Sequence, residues 1–355
     1  MTAQRGIFGF GGQTAKEAVA TTWYRHKAVD VDLAPLDDVR LGRPEVGGGL
    51  FPTFPYKAGV VVAGGATLQP RLENTLGWVG FGALGAVSTI TGDGVGENPP
   101  VGVNRHQFKP ASDQSFLPWM SARVVVPGDV AANDYGLIYK DMKALGLTLA
   151  LSADAPITAR LDFLGRLFEY ADPSGWSWDN TFETYESIPV GAAVGGFMKI
   201  PGYSASELSI VGATVAIQNA PLDLRQEKVY GDPYIEDVTL VGRAVTVDVM
   251  VKWKDADLAR ALHAGSITGT EWSSTPYVQD LDVLAVSPGD ISGQSVPYKC
   301  RVEMPSVLWQ LNGPIRLAGN QAVFARISGT SLEPSSGDAI TLSVDNEETG
   351  YTWPS

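Results

Sequence analysis

The sequence feature that most constrains the fold is a partial repeat between the two halves of the chain. Ala34-Pro35-Leu36-Asp37 recurs as Ala220-Pro221-Leu222-Asp223, 186 residues further on. Three further matches at the same spacing support this repeat: Val29 and Val31 with Val215 and Ile217, Leu72 with Leu258, and Leu76 with Leu262. One offset therefore aligns a strand pattern, a turn and a helix pattern, which predicts a duplicated unit.

Small residues mark the predicted junction between the two units. Residues 189–196 read Pro-Val-Gly-Ala-Ala-Val-Gly-Gly, a composition that suits a linker. The predicted division of the chain is an N-terminal arm at 1–22, a first unit at 23–189, a linker at 190–196 and a second unit at 197–355.

The predicted elements are mostly β-strands. The chain has 40 Gly and 23 Pro in 355 residues, more than average usage, which indicates many turns between short elements. Apolar and polar residues alternate at 29–33 and 245–249, as in half-buried strands. Further strands are predicted at 60–62, 122–126, 145–151, 157–163, 208–217, 298–304, 322–327 and 339–344.

Two segments have a helical pattern. One runs from Leu72 to Leu84, and the other is capped by Asp255, carries Leu258 and Leu262 at i and i+4, and ends at Gly265. Irregular stretches at 86–115 and 266–296 follow these helices and are predicted to be long loops. The predicted fold is therefore mostly β: two tandem β-sandwich or barrel units, each with one flanking α-helix and long loops.

Charge and cysteine content exclude several classes of protein. With 26 Lys and Arg against 39 Asp and Glu, the net charge of −13 disfavours electrostatic wrapping of nucleic acid. The single Cys300 forms no internal disulfide, which fits assembly in a reducing cytoplasm. The first twelve residues lack the continuous apolar run of an export signal, and we expect no membrane insertion.

Signals for catalysis or cofactor binding are weak. Residues 80–85 match the Gly-x-Gly-x-x-Gly pattern, but they lie in a predicted helix, so we expect their small residues to allow close helix packing. His26, His106 and His263 form no paired metal motif. We therefore predict no enzyme activity, no cofactor and no metal.

One enzymatic alternative stays open. Paired carboxylates such as Asp30 with Asp32 and Asp280 with Asp282 would serve a carbohydrate-binding or carbohydrate-cleaving β protein if aromatic residues lay beside them. The candidate aromatic platform consists of Trp176, Trp178, Trp272 and Trp353.

Several short segments carry a family resemblance over most of the chain. They are Phe10 to Ala20, Gly42 to Glu45, Tyr56 to Gly59, Gly64 to Arg71, Leu76 to Trp78, Ala83 to Gly85, Glu303 to Val307 and Leu342 to Asn346. With these segments the chain resembles the tail tube proteins of long-tailed, non-contractile bacteriophages, especially the larger type in which the tube fold occurs twice. The second alternative to a tail tube protein is another virion component, such as a capsid, tail terminator or baseplate protein.

The resemblance implies an assembly. In the family that the chain resembles, six tube units surround a central channel. Three chains with two units each would therefore complete a pseudo-sixfold ring. Stacked rings would form the virion tail tube, a conduit for DNA, in contact with the tape measure and terminator proteins.

Two sets of residues are predicted to serve this assembly. An acidic channel lining that repels DNA is predicted to include some of Asp30, Asp32, Asp37, Asp38, Asp248, Asp280 and Asp282. Contacts between stacked rings are predicted from Gly42, Arg43, Pro44, Glu45, Asp93, Glu97 and Arg105.

Overall fold

The fold is mostly β, as predicted. A computed structural model describes residues 6–44, 48, 51–52, 54–112, 117–179, 186–190, 195–200, 209–252, 257–313 and 323–353. The two α-helices in these residues are α1, Thr75–Leu84, and α2, Asp257–Ala264. Neither is long and apolar enough to cross a membrane.

Strands account for most of the remaining regular structure. Those of the first half are β1 Ile7–Gly12, β2 Tyr24–His26, β3 Ala28–Val31, β4 Ala34–Leu41, β5 Pro55–Leu68, β6 Gly85–Thr91, β7 Asn104–Pro110, β8 Met120–Val126, β9 Tyr135–Ser152 and β10 Thr158–Ala171. Those of the second half are β11 Phe197–Lys199, β12 Ser209–Pro221, β13 Leu240–Lys252, β14 Val278–Asp290, β15 Pro297–Leu311, β16 Phe324–Ser331 and β17 Thr341–Asn346.

The strands of each half pair in a defined lateral order, with every pair antiparallel. In the first half, β3 and β4 pair with β5, which is followed by β10, β9, β8, β1 and β2. In the second half the order is β12, β13, β16, β15, β14 and β11. The arrangement is an open sheet, consistent with a β-sandwich.

Helix α1 is buried on nearly all sides, which explains its glycines. A Cβ added to Gly77 would lie 2.1 Å from the ring of Tyr351, and one added to Gly80 would lie 3.0 Å from Leu342. The helix ends at Gly85, whose φ of 89° is left-handed and suits glycine. The prediction that residues 80–85 allow close helix packing is therefore confirmed.

The C-terminal segment of the second half packs against this helix of the first half. The indole rings of Trp78 and Trp353 are stacked, with centroids 5.7 Å apart and planes inclined by 2°. The side-chain amide of Asn346 donates hydrogen bonds to the carbonyl oxygens of Leu72 and Glu73 at 2.8 and 3.0 Å. These contacts join the C-terminal segment to α1 within one hydrophobic core.

Several local predictions are wrong. The predicted loop at 86–115 contains most of β6 and all of β7, and the predicted loop at 266–296 contains β14. The predicted N-terminal arm contains β1, which pairs with β2 on one side and β8 on the other. Helix α1 begins at Thr75 rather than Leu72, and the predicted cap Asp255 lies outside the described residues.

The repeated tetrapeptide does not occupy matching ladder positions. Ala34 lies opposite Ala63, whereas Ala220 lies opposite Gly242 near the start of β13. The glycines that follow the two helices, Gly85 and Gly265, are both left-handed and are separated by 180 residues rather than 186. A single offset of 186 therefore does not describe the relation between the two halves.

Replacing Gly77 with Ala tests the packing of α1. We expect Gly77→Ala to lower the free energy of unfolding by roughly 1–3 kcal/mol, because overpacking exceeds the gain in helix propensity of about 1 kcal/mol. Urea unfolding followed by fluorescence would measure it. Gly175→Ala is the matched control, since a Cβ there meets nothing within 4 Å; equal stability of the two variants would contradict the packing argument.

Buried His26 gives a pH dependence to stability. Its ring stacks on Phe10 with centroids 4.3 Å apart, and burial, together with the charge of Arg71, lowers its pKa from 6.5 to about 3. Below pH 6.5 the unfolded chain therefore takes up a proton that the folded chain excludes, and stability falls as pH falls toward 3.

We expect His26→Phe to make this loss shallower. Between pH 6.5 and 5 the slope of unfolding free energy against pH should decrease by up to about 1.4 kcal/mol per pH unit, the limit for one proton. Denaturant titrations at several pH values would measure it, with pH 7–8 as the internal reference where the slopes should agree. Identical slopes between pH 6.5 and 5 would contradict the assignment.

Candidate assembly surfaces

The two halves are joined by a continuous strand ladder. The end of β9 that extends beyond β8 pairs with β12, from Gly146 opposite Gln218 to Ser152 opposite Gly212. One residue further along, the backbone N–H of Ala153 donates to the carbonyl of Val211 at 2.9 Å. Backbone groups of one half thus satisfy those of the other, as at the joined edges of two sheets.

A buried asparagine reinforces this junction. The side-chain amide of Asn219, on β12, donates to the carbonyls of Ala83 and Ala144 at 3.1 and 3.0 Å. Its side-chain oxygen accepts a hydrogen bond from Nε of Arg243 at 2.7 Å. Asn219 therefore links a second-half strand to the end of α1 and to β9 through hydrogen bonds inside the protein.

A second ladder joins the halves at β7 and β17, where Asn104 lies opposite Asn346 and Phe108 opposite Leu342. Arg105 makes a bidentate ion pair with buried Asp345 at 2.8 and 2.9 Å. Hydrogen bonding to Asp345 raises the pKa of the Arg105 guanidinium. Charge-assisted bonds of this geometry fix the two strands in register.

Four of the seven aspartates predicted to line a channel are paired with cations. Asp32 accepts two hydrogen bonds from Arg160, at 3.1 and 2.8 Å, and Asp282 is paired with Arg301 at 2.9 and 3.0 Å. The hydrogen bond from Arg160 lowers the pKa of Asp32. Asp282 is also only 9% exposed, so its charge is largely neutralised where it lies.

Asp37 and Asp38 are also in ion pairs, on β4. Asp37 is paired with Lys57 at 2.6 Å, and Asp38 with Arg40 and Lys228 at 2.8 and 2.7 Å. The hydrogen bonds from Arg40 and Lys228 lower the pKa of Asp38. These two carboxylates therefore contribute less net negative potential than their sequence suggests.

The remaining three aspartates lie on three different strands. Asp30 on β3 and Asp248 on β13 are exposed, and Asp280 on β14 is partly exposed. Their carboxylates make no ion pair with a described residue. They are the members of the predicted set that are best placed to act as free negative charges.

The residues predicted to contact a stacked ring lie in three places. Gly42 is buried where its N–H donates to the carbonyl of Phe54 at 2.7 Å, and Arg43 and Pro44 beyond it are exposed. Glu45 lies outside the described residues. Asp93 and Glu97 are exposed in the turn between β6 and β7, whereas Arg105 lies on β7 itself.

The exposed turn after β6 is held by local hydrogen bonds. Oδ1 of Asp93 accepts bonds from the N–H of Val95 at 2.8 Å and from the side-chain amide of Asn98 at 3.1 Å. Arg105 donates to the carbonyl of Glu97 at 3.2 Å, so the ion pair at β17 also anchors the turn. This turn is therefore a structured, exposed surface at the end of the β6–β7 hairpin.

Sequence reasoning missed an exposed apolar edge. Along β3 and β4, Val29 is 65% exposed, Leu36 52%, Val39 59% and Leu41 62%. Both strands pair with β5 on one side, and no described strand pairs with their other side. The alternation at 29–33 signals a strand, but a register shift between Ala28 and Asp30 exposes Val29 instead of burying it.

The tryptophans considered as a sugar platform lie in different environments. Trp353 is buried against Trp78, while Trp272 is 78% exposed. Trp176 packs edge-to-face on Trp178, with Arg123 4.9 Å from its ring centroid. The four rings therefore do not form one exposed face.

The described residues contain no group of three or more His, Cys, Asp or Glu side chains able to hold a metal ion. Cys300 is buried, and burial raises the pKa of its thiol to about 12, so it is not poised as a thiolate nucleophile.

Comparison with known proteins identifies the family. Residues 14–346 match the sequence model of a family described as phage tail tube protein, which spans both halves of the chain. No curated protein matches the chain significantly. The mostly β fold and the paired sheet edges fit the role of a structural virion component. The chain therefore belongs to the phage tail tube protein family and is a structural protein of the bacteriophage tail.

Proposed function

We propose that three copies of this chain form a ring with pseudo-sixfold symmetry, and that stacked rings form a tube through which DNA passes into the host. The observation that carries this proposal is the strand junction between the two halves, where β9 pairs with β12. A ring of six units requires six junctions between sheets, and each chain already contains one of them.

A common topology supports the idea that each chain supplies two tube units. The lateral order β3/β4, β5, β10, β9, β8, β1 has the same succession along the chain as β12, β13, β16, β15, β14, β11. In both halves the helix follows the second of these strands, β5 or β13. The units are the first and second halves, joined near 190–196, of which 191–194 lie outside the described residues.

Ring closure would use the edge of β3 and β4 that no described strand pairs with. If the two halves are equivalent, β12 is the counterpart of β3 and β4, and its outer edge is already covered by β9. Among the described residues nothing pairs with the counterpart edge in the first half, which is therefore available to another subunit. Three internal junctions and three between chains would complete the ring.

The channel would carry negative charge that does not retain DNA. Each Lys or Arg facing the channel would add a phosphate contact, whereas a carboxylate adds none. Asp30, Asp248 and Asp280 are the members of the predicted lining that make no ion pair with a described residue, so we assign the repulsion mainly to them. No catalytic role is needed for this passive conduit.

Ring stacking is assigned to the turn after β6 and to the segment after β4. Asp93 and Glu97 are exposed in the first, and Arg43 and Pro44 in the second. Tape measure and terminator proteins would contact the tube along its bore and at its end. Assembly would take place in the host cytoplasm before the tail joins the virion.

Electron microscopy of the purified chain tests the assembly. At high concentration the protein should form hollow tubes or stacked rings with three chains per ring, measurable by averaged images and native mass spectrometry. Icosahedral shells, or a protein that stays monomeric at all concentrations, would contradict the proposed function.

Reversing the charges assigned to the channel tests the conduit. Tubes of the double variant Asp248→Lys and Asp280→Lys should retain duplex DNA, with a slope of log affinity against log salt that steepens by about 0.9 per added phosphate contact. Asp30 is left unchanged because it lies on β3, at the edge proposed to receive the next chain. Glu333→Lys, a charge change in the exposed loop after β16, is the single-site control. Tubes of the double variant that retain no more DNA than the control would contradict the channel assignment.

A further inference from the structure

Two cavities are lined by strands that hold the same place in the two halves. The first, of about 830 Å³, is lined by β1, β3 and β8, with Phe8, Val29 and Val125 among its residues. The second, of about 220 Å³, is lined by the counterpart strands β11, β12 and β14, with Phe197 and Val283 among its residues. The two cavities are therefore equivalent positions of unequal size.

The smaller cavity is partly filled by the other half of the chain. Leu151, Ser152, Ala153 and Ile157, at the end of the β9–β10 pair, also line it. This end enters beside β12, and the N–H of Ala153 donates to the carbonyl of Val211. The larger cavity is lined by residues 6–8, 25–31 and 124–127, and no comparable strand end is among them.

The backbone beside the larger cavity is oriented to accept a strand. The N–H of Asp32 donates to the carbonyl of Gly65 on β5 at 3.0 Å. Because this peptide group is trans, the carbonyl of Val31 points to the opposite side, away from β5. No described strand pairs with that side, and the adjacent Val29 is 65% exposed.

We propose that the larger cavity binds the end of the β15–β16 pair of a second copy of this chain. The β15–β16 pair is the counterpart of β9–β10, the pair that fills the smaller cavity. Its described end is closed by the N–H of Asn312 donating to the carbonyl of Arg326 at 2.8 Å, and it carries Phe324, 44% exposed. This inference rests on the proposed ring and specifies the contact between its chains.

The proposed contact is head to tail. The receiving surface is built from β1, β3 and β8, and the inserting surface from β15 and β16, so one chain uses different surfaces toward its two neighbours. Interfaces of this kind close into a ring when the rotation between copies allows it. The internal junction between β9 and β12 provides the same contact within each chain.

Two variants and a control test this contact in the full-length protein. Val29→Arg blocks the receiving cavity, and Phe324→Arg places a cation at the inserting end. Val241→Arg, at the start of β13 and 60% exposed, makes the same exchange away from both surfaces. Thermal unfolding of each variant establishes that the subunit is folded.

We expect each variant alone to stay monomeric and the mixture of the two variants to form dimers but no larger assembly. Val29→Arg alone and Phe324→Arg alone should stay monomeric, because every contact in a uniform ring contains the altered residue. Mixed together they should form 1:1 dimers but no rings, because only the unaltered cavity of one and the unaltered end of the other can join. Native mass spectrometry with one variant isotopically labelled would identify the dimer, and Val241→Arg should form rings.

Other outcomes overturn the inference. Rings formed by Val29→Arg or Phe324→Arg alone would place the contact elsewhere, including the case in which residues 1–5 of the same chain occupy the cavity. Folded variants whose mixture stays monomeric would refute head-to-tail pairing between these two surfaces. If the unmodified protein forms no rings, the proposed function fails instead, so the two failures are distinguishable.

Discussion

The structure depends on the pairing of sheet edges. Burying the backbone N–H and C=O groups at the edge of a sheet without hydrogen-bond partners destabilises the fold. A fold with two sheets must therefore cover its edges, expose them to solvent or join them. Here β9 is long enough to pair with β8 over its first part and with β12 over its last part. A single strand thus belongs to the sheets of both halves and fixes how they meet.

Close packing between distant parts of the chain strengthens this arrangement. Gly12 on β1 accommodates Trp353, and Gly77 on α1 accommodates Tyr351, in each case at a distance that no Cβ would allow. The end of the second half therefore lies against the beginning of the first. The β7–β17 ladder adds a further contact between the halves. Segments that precede β9 in the chain thus contact segments that follow β12, in addition to the β9–β12 junction itself.

Local sequence patterns predicted those strands and helices that bury one face and expose the other. Strands β12 and β13 alternate apolar and polar residues because one face is buried, and the leucine spacing of α2 follows from the same cause. Strand β1 escaped prediction because its glycines replace the apolar side chains that would signal a strand, where Trp178 and Trp353 fill the space instead. Strands β6 and β7 carry polar residues such as Arg105, whose partner Asp345 is 240 residues away. The residues near Arg105 in the sequence do not predict such a distant partner.

The same reasoning explains why the predicted acidic set is only partly a set of free charges. A count of aspartates does not distinguish a carboxylate facing solvent from one that holds an arginine, and Asp32 and Asp282 are of the second kind. Their ion pairs organise the sheet, because Arg301 on β15 pairs with Asp282 on the neighbouring β14, and Arg160 on β10 reaches Asp32 across β5. The exposed edge of β3 and β4 differs, since Val29, Leu36, Val39 and Leu41 are more than half exposed in the described part of the chain. An apolar edge that a monomer would have to protect is retained at low cost when a neighbouring copy covers it, and this turns an aggregation hazard into a joining surface.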